Sequence, residues 1–202
     1  MAQITTSLEQ AAEALRRGEA VIYPTETVYG LGVAVSAAES PDILFELKHR
    51  DRKKPIAWLV GAVDDLDRFG RNVPDFARVL ARTFWPGPLT LVVKASELVP
   101  AAFRSAEDTI GLRMPNNKTA LALIELVGSP LATTSANLSG AKSPCSCAAV
   151  NPRLAEHVGL VLADASDDDK SGVCSSVLDC THDHPIMMRE GAVSIAAIQA
   201  LA

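Results

Sequence analysis

Three kinds of polar side chain recur where the apolar runs of this 202-residue chain break off. There are hydroxyls (Thr25 and Thr27; Thr133, Ser135 and Ser143; Ser175 and Ser176), an amide (Asn137) and cations (Lys48, Arg50, Arg113 and Arg189). Guanidinium forks grip phosphate or carboxylate oxygens in pairs, an ammonium adds a point charge, and hydroxyls donate hydrogen bonds. Together they suit a small polyanion. The densest positive stretch is Lys48-His-Arg-Asp-Arg-Lys-Lys54, which holds five of the 19 Lys and Arg residues in a chain of net charge −5. A cationic cluster on an acidic background faces a local anion. The competing reading is that these residues cap a helix C-terminus and lie in solvent. No GxxxxGK[ST] or GxGxxG phosphate cradle is present, no serine sits in a GxSxG elbow, and no histidine accompanies a nucleophile. The chemistry implied is positioning and charge neutralisation without a covalent intermediate.

Strands and helices alternate around these residues. Ser7 and Gln10 form a capping box ahead of a helix with Leu8, Ala11, Ala12 and Leu15 inward, which Gly18 ends. Ala20 to Tyr23 reads as a buried strand leading into Pro24-Thr-Glu-Thr-Val-Tyr-Gly-Leu-Gly32. There two hydroxyls flank a carboxylate, and two glycines allow close backbone approach. A helix with Ser40 as N-cap and Pro41 at N1 places Ile43, Leu44 and Leu47 on one face, just before the basic stretch. Ile56 to Val60 is the next strand. A helix from Pro74 carries Phe76, Val79, Leu80 and Phe84 inward and breaks at Trp85-Pro-Gly-Pro88. Strands at Leu89–Val93 and Thr109–Met114 follow, then a helix capped by Asn117 and stopped by Gly128. Leu131–Thr134, Leu160–Ala163, Ser176–Asp179 and Ile186–Arg189 complete the strands, with helices near Pro152–His157 and from Ser194. The pattern predicts an α/β domain, residues 1–202, with a twisted, mixed central sheet flanked by helices. Open sheets of this kind bind ligands at strand ends, where the polar segments fall.

Composition narrows the classes. Hydrophobic residues make up 48% and charged residues 21%, as in soluble globular proteins. The most apolar run is far too short to cross a bilayer and no signal core opens the chain, so a cytoplasmic protein without membrane contact is expected. The four cysteines form no CxxC pair, and Cys145-Ser-Cys147 with His182 and His184 is poor spacing for zinc; no metal site is assigned. Asp164 with Asp167, Asp168 and Asp169 reads as a solvated acidic turn. An acidic pI of 5.4 argues against a broad nucleic-acid surface, so RNA binding is expected to be weak or absent.

Six segments in order resemble the YrdC-like family. They are Pro24 to Gly32, Lys48-x-Arg50, Gly111-Leu-Arg-Met-Pro115, Ser135-x-Asn137, Ser175-Ser-Val-Leu-Asp179 and Arg189-Glu-Gly191, and the likeness runs from about Ser7 to Val193. By length the chain resembles the short, single-domain bacterial form. The resemblance implies a YrdC-like fold and a nucleotidyltransferase that makes L-threonylcarbamoyladenylate and pyrophosphate from L-threonine, bicarbonate and ATP. Its product would feed threonylcarbamoyl modification of the tRNA adenosine beside the anticodon, with hand-off to tRNA-modifying proteins. By the same resemblance Lys48 and Arg50 are the catalytic pair. ATP would be held by Lys48, Arg50, Thr109, Ser135, Asn137, Ser143 and Arg189, with Mg2+ bound along with the nucleotide. Threonine would be held by Thr27, Arg113, Thr133 and Ser175, with Arg113 on its carboxylate. The chain departs from many relatives in having Lys54 for Asn and Leu59 for a threonine-binding His. It also has Asp164 to Asp169 where relatives carry a glycine-rich approach. Two other readings remain: a YciO-like relative of uncertain activity, whose kind tends to lack Ser-x-Asn, and a module that binds double-stranded RNA.

Overall fold

Apolar residues on the strands alternate in their partners, and that alternation builds the molecule. The structure is a computed structural model that describes residues 3–52, 54–164 and 170–201. Its strands are β1 (Ile4–Thr5), β2 (Val21–Tyr23), β3 (Gly30–Ala34), β4 (Ala57–Leu59), β5 (Leu89–Lys94), β6 (Thr109–Arg113), β7 (Leu131–Ser135), β8 (Leu160–Leu162), β9 (Ser176–Asp179) and β10 (Ile186–Arg189). All ten join one mixed sheet in the order β1-β8-β2-β3-β7-β4-β6-β5-β9-β10. Four pairs are parallel (β1–β8, β8–β2, β4–β6, β5–β9) and the other five antiparallel. The expected mixed α/β sheet is present.

The helices are α1 (Leu8–Arg16), α2 (Asp42–Lys48), α3 (Asp65–Phe69), α4 (Asp75–Phe84), α5 (Lys118–Val127), α6 (Pro152–Ala155) and α7 (Ile195–Gln199). One sheet face carries Ile22, Leu31, Trp58, Leu91, Leu112, Ala132, Val161 and Leu178, which pack with Leu44 and Phe45 of α2 and Leu80 of α4. The opposite face carries Val21, Tyr23, Leu59, Leu131, Leu160 and Leu162, covered by Ala11 and Leu15 of α1 and Leu123, Ile124 and Val127 of α5. Period-two alternation thus sends successive strand residues into two separate cores. The second core stops partway along the sheet. On that same face the register places Arg113 level with Leu59 and Leu131, and Thr133 level with Gly32, Ala57 and Gly111. Further along, Thr90 lies beside Val177, and Val177 beside Arg189. The face therefore turns from apolar to polar as it leaves the cover of α1 and α5.

Several sequence expectations need adjustment. Pro41, not Ser40, holds the N-cap position of α2, and the Ser40 hydroxyl accepts from the Asp42 N–H at 3.3 Å. The inward face of α2 is Leu44, Phe45 and Lys48, while Ile43 is exposed. That stripe is as helical as the expected one, but it is rotated so that Phe45 and Lys48 face inward. In α4, Ala77, Leu80 and Ala81 are buried and Val79 is exposed, so the small alanines let the helix sit close. Strands β1 and β3 and helix α3 were not anticipated: two residues or five offer too little periodicity to read, and the glycines of β3 read as a turn. The caps of α1 by Ser7, α5 by Asn117 and α7 by Ser194 are as expected. Among the described residues no helix is long and apolar enough to cross a membrane.

Gly32 illustrates how tightly the polar face is built. A Cβ there would lie 2.5 Å from the Tyr23 hydroxyl oxygen and 2.8 Å from the Ala132 carbonyl. Space, rather than backbone conformation, demands glycine. Gly32→Ala is expected to destabilise the protein by about 1–3 kcal/mol, the usual cost of overpacking. Urea unfolding of the two proteins checks this, and an unchanged midpoint would refute it.

Candidate functional site

The basic stretch splits into residues with different fates. Lys48, in the last turn of α2, is 1% exposed. His49 ends the helix in the left-handed region at φ 50°, which turns the following chain aside. Arg50 is partly buried; its guanidinium donates to the Pro55 carbonyl at 3.3 Å, and its buried Nε has no partner among the described residues. Arg52 is exposed and paired with Asp42 and Glu46, and Lys54 is exposed. Lys53 lies outside the described residues. The solvated-cap reading fits Arg52 and Lys54, but it fails at Lys48 and Arg50.

The Lys48 ammonium meets three acceptors: the Ser135 carbonyl at a short contact, the Ser135 hydroxyl at 3.3 Å and Asn137 Oδ1 at 3.2 Å. Three N–H groups and three acceptors form a closed set. Asn137 Oδ1 also accepts from the hydroxyls of Ser135 and, at 3.4 Å, Ser143. The amide nitrogen of Asn137 donates to the carbonyls of Leu138 and Ala141, which fixes the turn after β7. Burial and the nearby Arg50 push the Lys48 ammonium down to about 7, with Cys174 opposing them. Burial and then Arg189 lower Arg50 as well. Arg50 is thus close enough to repel Lys48 on one side and Arg189 on the other, and no acidic residue is among the groups that perturb Lys48 or Arg50. Such an arrangement is stabilised by an incoming polyanion.

A second cluster surrounds Arg113, at the end of β6 and 7% exposed. Its Nη2 donates to Glu26 Oε1 at 2.7 Å and Thr27 Oγ1 at 3.1 Å, and its Nε to the Gly87 carbonyl at 3.2 Å. Thr27 Oγ1 lies 2.9 Å from Thr25 Oγ1, which also donates to the Val28 carbonyl, so the loop after β2 is cross-braced. Thr133 sits on β7 with its hydroxyl against Tyr23 and donating to the Leu131 carbonyl. Burial raises the Tyr23 phenol above its usual range, against the opposing effects of Thr133 and Arg113. It remains a neutral donor.

One segment runs along both clusters. Ser171 and Gly172 donate their backbone N–H groups to the carbonyls of Glu26 and Thr27, each at 3.0 Å. Ser175 follows, its hydroxyl 3.0 Å from Thr90 Oγ1. Arg189 on β10 donates to the Ser175 carbonyl at 2.8 and 3.1 Å and to its hydroxyl at 3.2 Å. The structure therefore joins Lys48, Arg50, Ser135, Asn137, Ser143, Ser175 and Arg189 on one side to Thr27 and Arg113 on the other. Thr109 stands apart from these contacts: it opens β6, whereas Arg113 closes it, and its hydroxyl pairs with Ser105 at 2.7 Å. Leu59 is 3% exposed and packs with Leu123 and Leu131, so that position is core.

Asp164 is not part of a solvated turn. It accepts from Asn117 at 3.3 Å, pairs with Lys170 at 3.6 Å, and its N–H donates to the Tyr29 hydroxyl at 3.2 Å. The Asp164 and Lys170 side chains are 8% and 2% exposed, and the ammonium lies 5.0 Å from the Tyr29 ring centroid. Asp167, Asp168 and Asp169 lie outside the described residues.

Sequence reasoning missed Tyr23, Thr90 and Glu26 as site residues. Thr90 had a signal, being the one polar residue in Leu89–Val93, and Glu26 lies between two threonines already singled out. Tyr23 had none, because an aromatic residue ending an apolar strand reads as core. A cavity of about 250 Å3 behind Asn137, lined by Leu138, Ala141 and Pro144, borders the cationic cluster. A larger cleft of about 440 Å3, lined by Arg71, Lys94 and His182, includes none of the expected site residues.

A family model covering Sua5, YciO and YrdC, described as telomere recombination, matches residues 13–191. The threonylcarbamoyl-AMP synthases of Pyrococcus abyssi and Bacillus subtilis are each 36% identical, over 94% and 96% of this chain and 55% and 56% of their own. The chain thus spans little more than half their length. A candidate threonylcarbamoyl-AMP synthase of Mycobacterium tuberculosis is 34% identical over 97% of this chain and 89% of its own. Among solved structures, P. abyssi Sua5 complexed with L-threonine superposes with a TM-score of 0.89 at 35% identity, covering 96% of this chain and 56% of that one. E. coli YciO superposes with a TM-score of 0.86 at 25% identity, covering 98% and 100%.

Proposed function

The chain belongs to the Sua5/YciO/YrdC family, and we propose that it makes threonylcarbamoyl-AMP and pyrophosphate from L-threonine, bicarbonate and ATP. One observation carries this reading. A buried guanidinium suited to a carboxylate, Arg113, and a patch of three cations, in which Arg50 repels both Lys48 and Arg189, lie along the segment of residues 171–175. A carboxylate and a triphosphate held side by side repel, and the four cations offset that repulsion.

In the proposed reaction Arg113 holds the threonine carboxylate, with Thr27, Thr133 and Ser175 around it. Arg50 and Arg189 grip phosphate oxygens, while Lys48, Ser135, Asn137 and Ser143 set the turn against which the nucleotide lies. The threonine amine adds to CO2 with loss of a proton, or to bicarbonate with loss of water, and an oxygen of the resulting carbamate attacks the α-phosphorus of ATP. The bond to pyrophosphate breaks as the new P–O bond forms. Catalysis comes from orientation and from stabilising charge on phosphate and on the departing pyrophosphate. Mg2+ would arrive on the nucleotide's own phosphates. Ser135 and Asn137 are both bound to Lys48, which favours this activity over that of a YciO-like relative. The product would pass to the proteins that modify tRNA.

The test is a pyrophosphate-release assay with each substrate left out in turn. Release is expected only when threonine, bicarbonate and ATP are all present. Equal release without threonine would overturn the reading.

A further inference from the structure

We propose that Glu26 receives the amino group of the amino-acid substrate, an assignment that rests on the reading above. Glu26 spends one carboxylate oxygen, Oε1, on Arg113. Its other oxygen, Oε2, is buried and has no hydrogen-bond partner among the described residues. A residue present only to neutralise Arg113 has both oxygens free to take from the guanidinium, whose fork can donate to a carboxylate in pairs. Here Nη2 is shared between Glu26 and Thr27, and Nε is on Gly87. Burying an acceptor without a donor is costly, so the missing donor is expected to come with a ligand.

The chemistry of that ligand follows from the pair. An amino acid carries an anion and a cation a few bonds apart. Arg113 offers a cation and Glu26 an anion in direct contact, the complement of a zwitterion. The loop holds Glu26 in this pose: Thr25 and Thr27 on either side are 3% and 1% exposed, and the Glu26 carbonyl is fixed by Ser171. Substrate carboxylate on Arg113 and substrate ammonium on Glu26 Oε2 would select a free α-amino acid over a hydroxy acid. The same oxygen can keep the single N–H that a carbamate retains.

Calorimetry with two ligands tests the assignment: L-threonine and the 2,3-dihydroxybutanoate of the same configuration, in which a hydroxyl replaces the amine. The unmodified protein is expected to prefer threonine by about thirtyfold or more, as buried polar groups discriminate against a ligand that leaves them unmatched. Glu26→Gln keeps an oxygen for Arg113 but turns a donor toward the amine. It should lower threonine affinity by a similar factor and change affinity for the hydroxy acid less than about threefold. Equal affinities in the unmodified protein overturn the assignment, a comparison that holds even if Glu26→Gln does not fold. Equal weakening of both ligands by Glu26→Gln also overturns it, leaving Glu26 as a support for Arg113. Absence of any threonine binding would sink the functional reading and this assignment together, whereas binding without discrimination removes the assignment alone.

Discussion

Replacing Lys48 with methionine should lower pyrophosphate release about a hundredfold, because two effects fall on one residue. The ammonium is a charge beside the proposed phosphates, and it also ties the turn after β7 together by donating to the Ser135 carbonyl, the Ser135 hydroxyl and Asn137 Oδ1. Losing a charge-assisted contact costs roughly 1.5–3 kcal/mol, and loosening the turn that the ammonium braces adds to that. Methionine fills the same volume, so the loss reports chemistry rather than a cavity. Arg50→Ala is expected to cost about tenfold or more, the loss of a single phosphate contact. Arg52→Ala should cost little, because that side chain is exposed and spends its charge on Asp42 and Glu46. Steady-state kinetics of the three variants decide the matter. Equal losses at Arg50 and Arg52 would mean that the stretch acts as a diffuse field.

The second large effect is on pH dependence. In the free protein Lys48 titrates near 7, held down first by burial and then by Arg50. Bound phosphates would favour the charged form and raise that value. Above about pH 7, binding ATP must therefore take up a proton, and affinity should fall by up to about tenfold per pH unit until the pH reaches the raised value in the complex. Below 7 the residue is already charged and its contribution is flat. The sign for folding follows from the same depression. The unfolded chain keeps the proton up to about 10.5, so this group's share of stability rises with pH between those limits. ATP loses a proton of its own near neutrality, so the comparison is with Lys48→Arg, which stays charged. Calorimetry in buffers of different ionisation enthalpy should show proton uptake at pH 8 in the parent and less in Lys48→Arg. Identical uptake in both would rule out Lys48 as the titrating group.

Much of this was legible in the chain because period two exposes it. Thr133 and Ser135 are two apart on β7, and Thr109, Gly111 and Arg113 two apart on β6, so each set marks one sheet face. What periodicity could not supply was depth. Lys48 stands in a charge run, and runs of charge are usually solvated; only the return of Ser135 and Asn137 beside it makes burial tolerable. Asp164 misled for the same reason, since its partner Asn117 is 47 residues away and its other partner, Lys170, lies just past the acidic run. Ile43 and Val79 were placed inward by helical spacing, but Phe45 and Ala81 took those faces. Thr109 belongs to the right face, yet its hydroxyl is engaged at the far end of its strand.

The strand order also governs when the site can exist. Lys48 and Ser135 are 87 residues apart, as are Glu26 and Arg113, and Thr90 and Ser175 are 85 apart. Strand β2 lies in parallel against β8, and β5 against β9, so early segments wait for late ones. Loop-closure entropy must be met before those long-range pairings return anything, which makes such topologies slow to fold. During synthesis the ribosome would release the loop around Glu26 and the basic stretch long before their partners emerge. Until β9 leaves the exit tunnel, β5 remains an open sheet edge and the wall that joins the two clusters is missing, the state in which a chaperone would meet this chain.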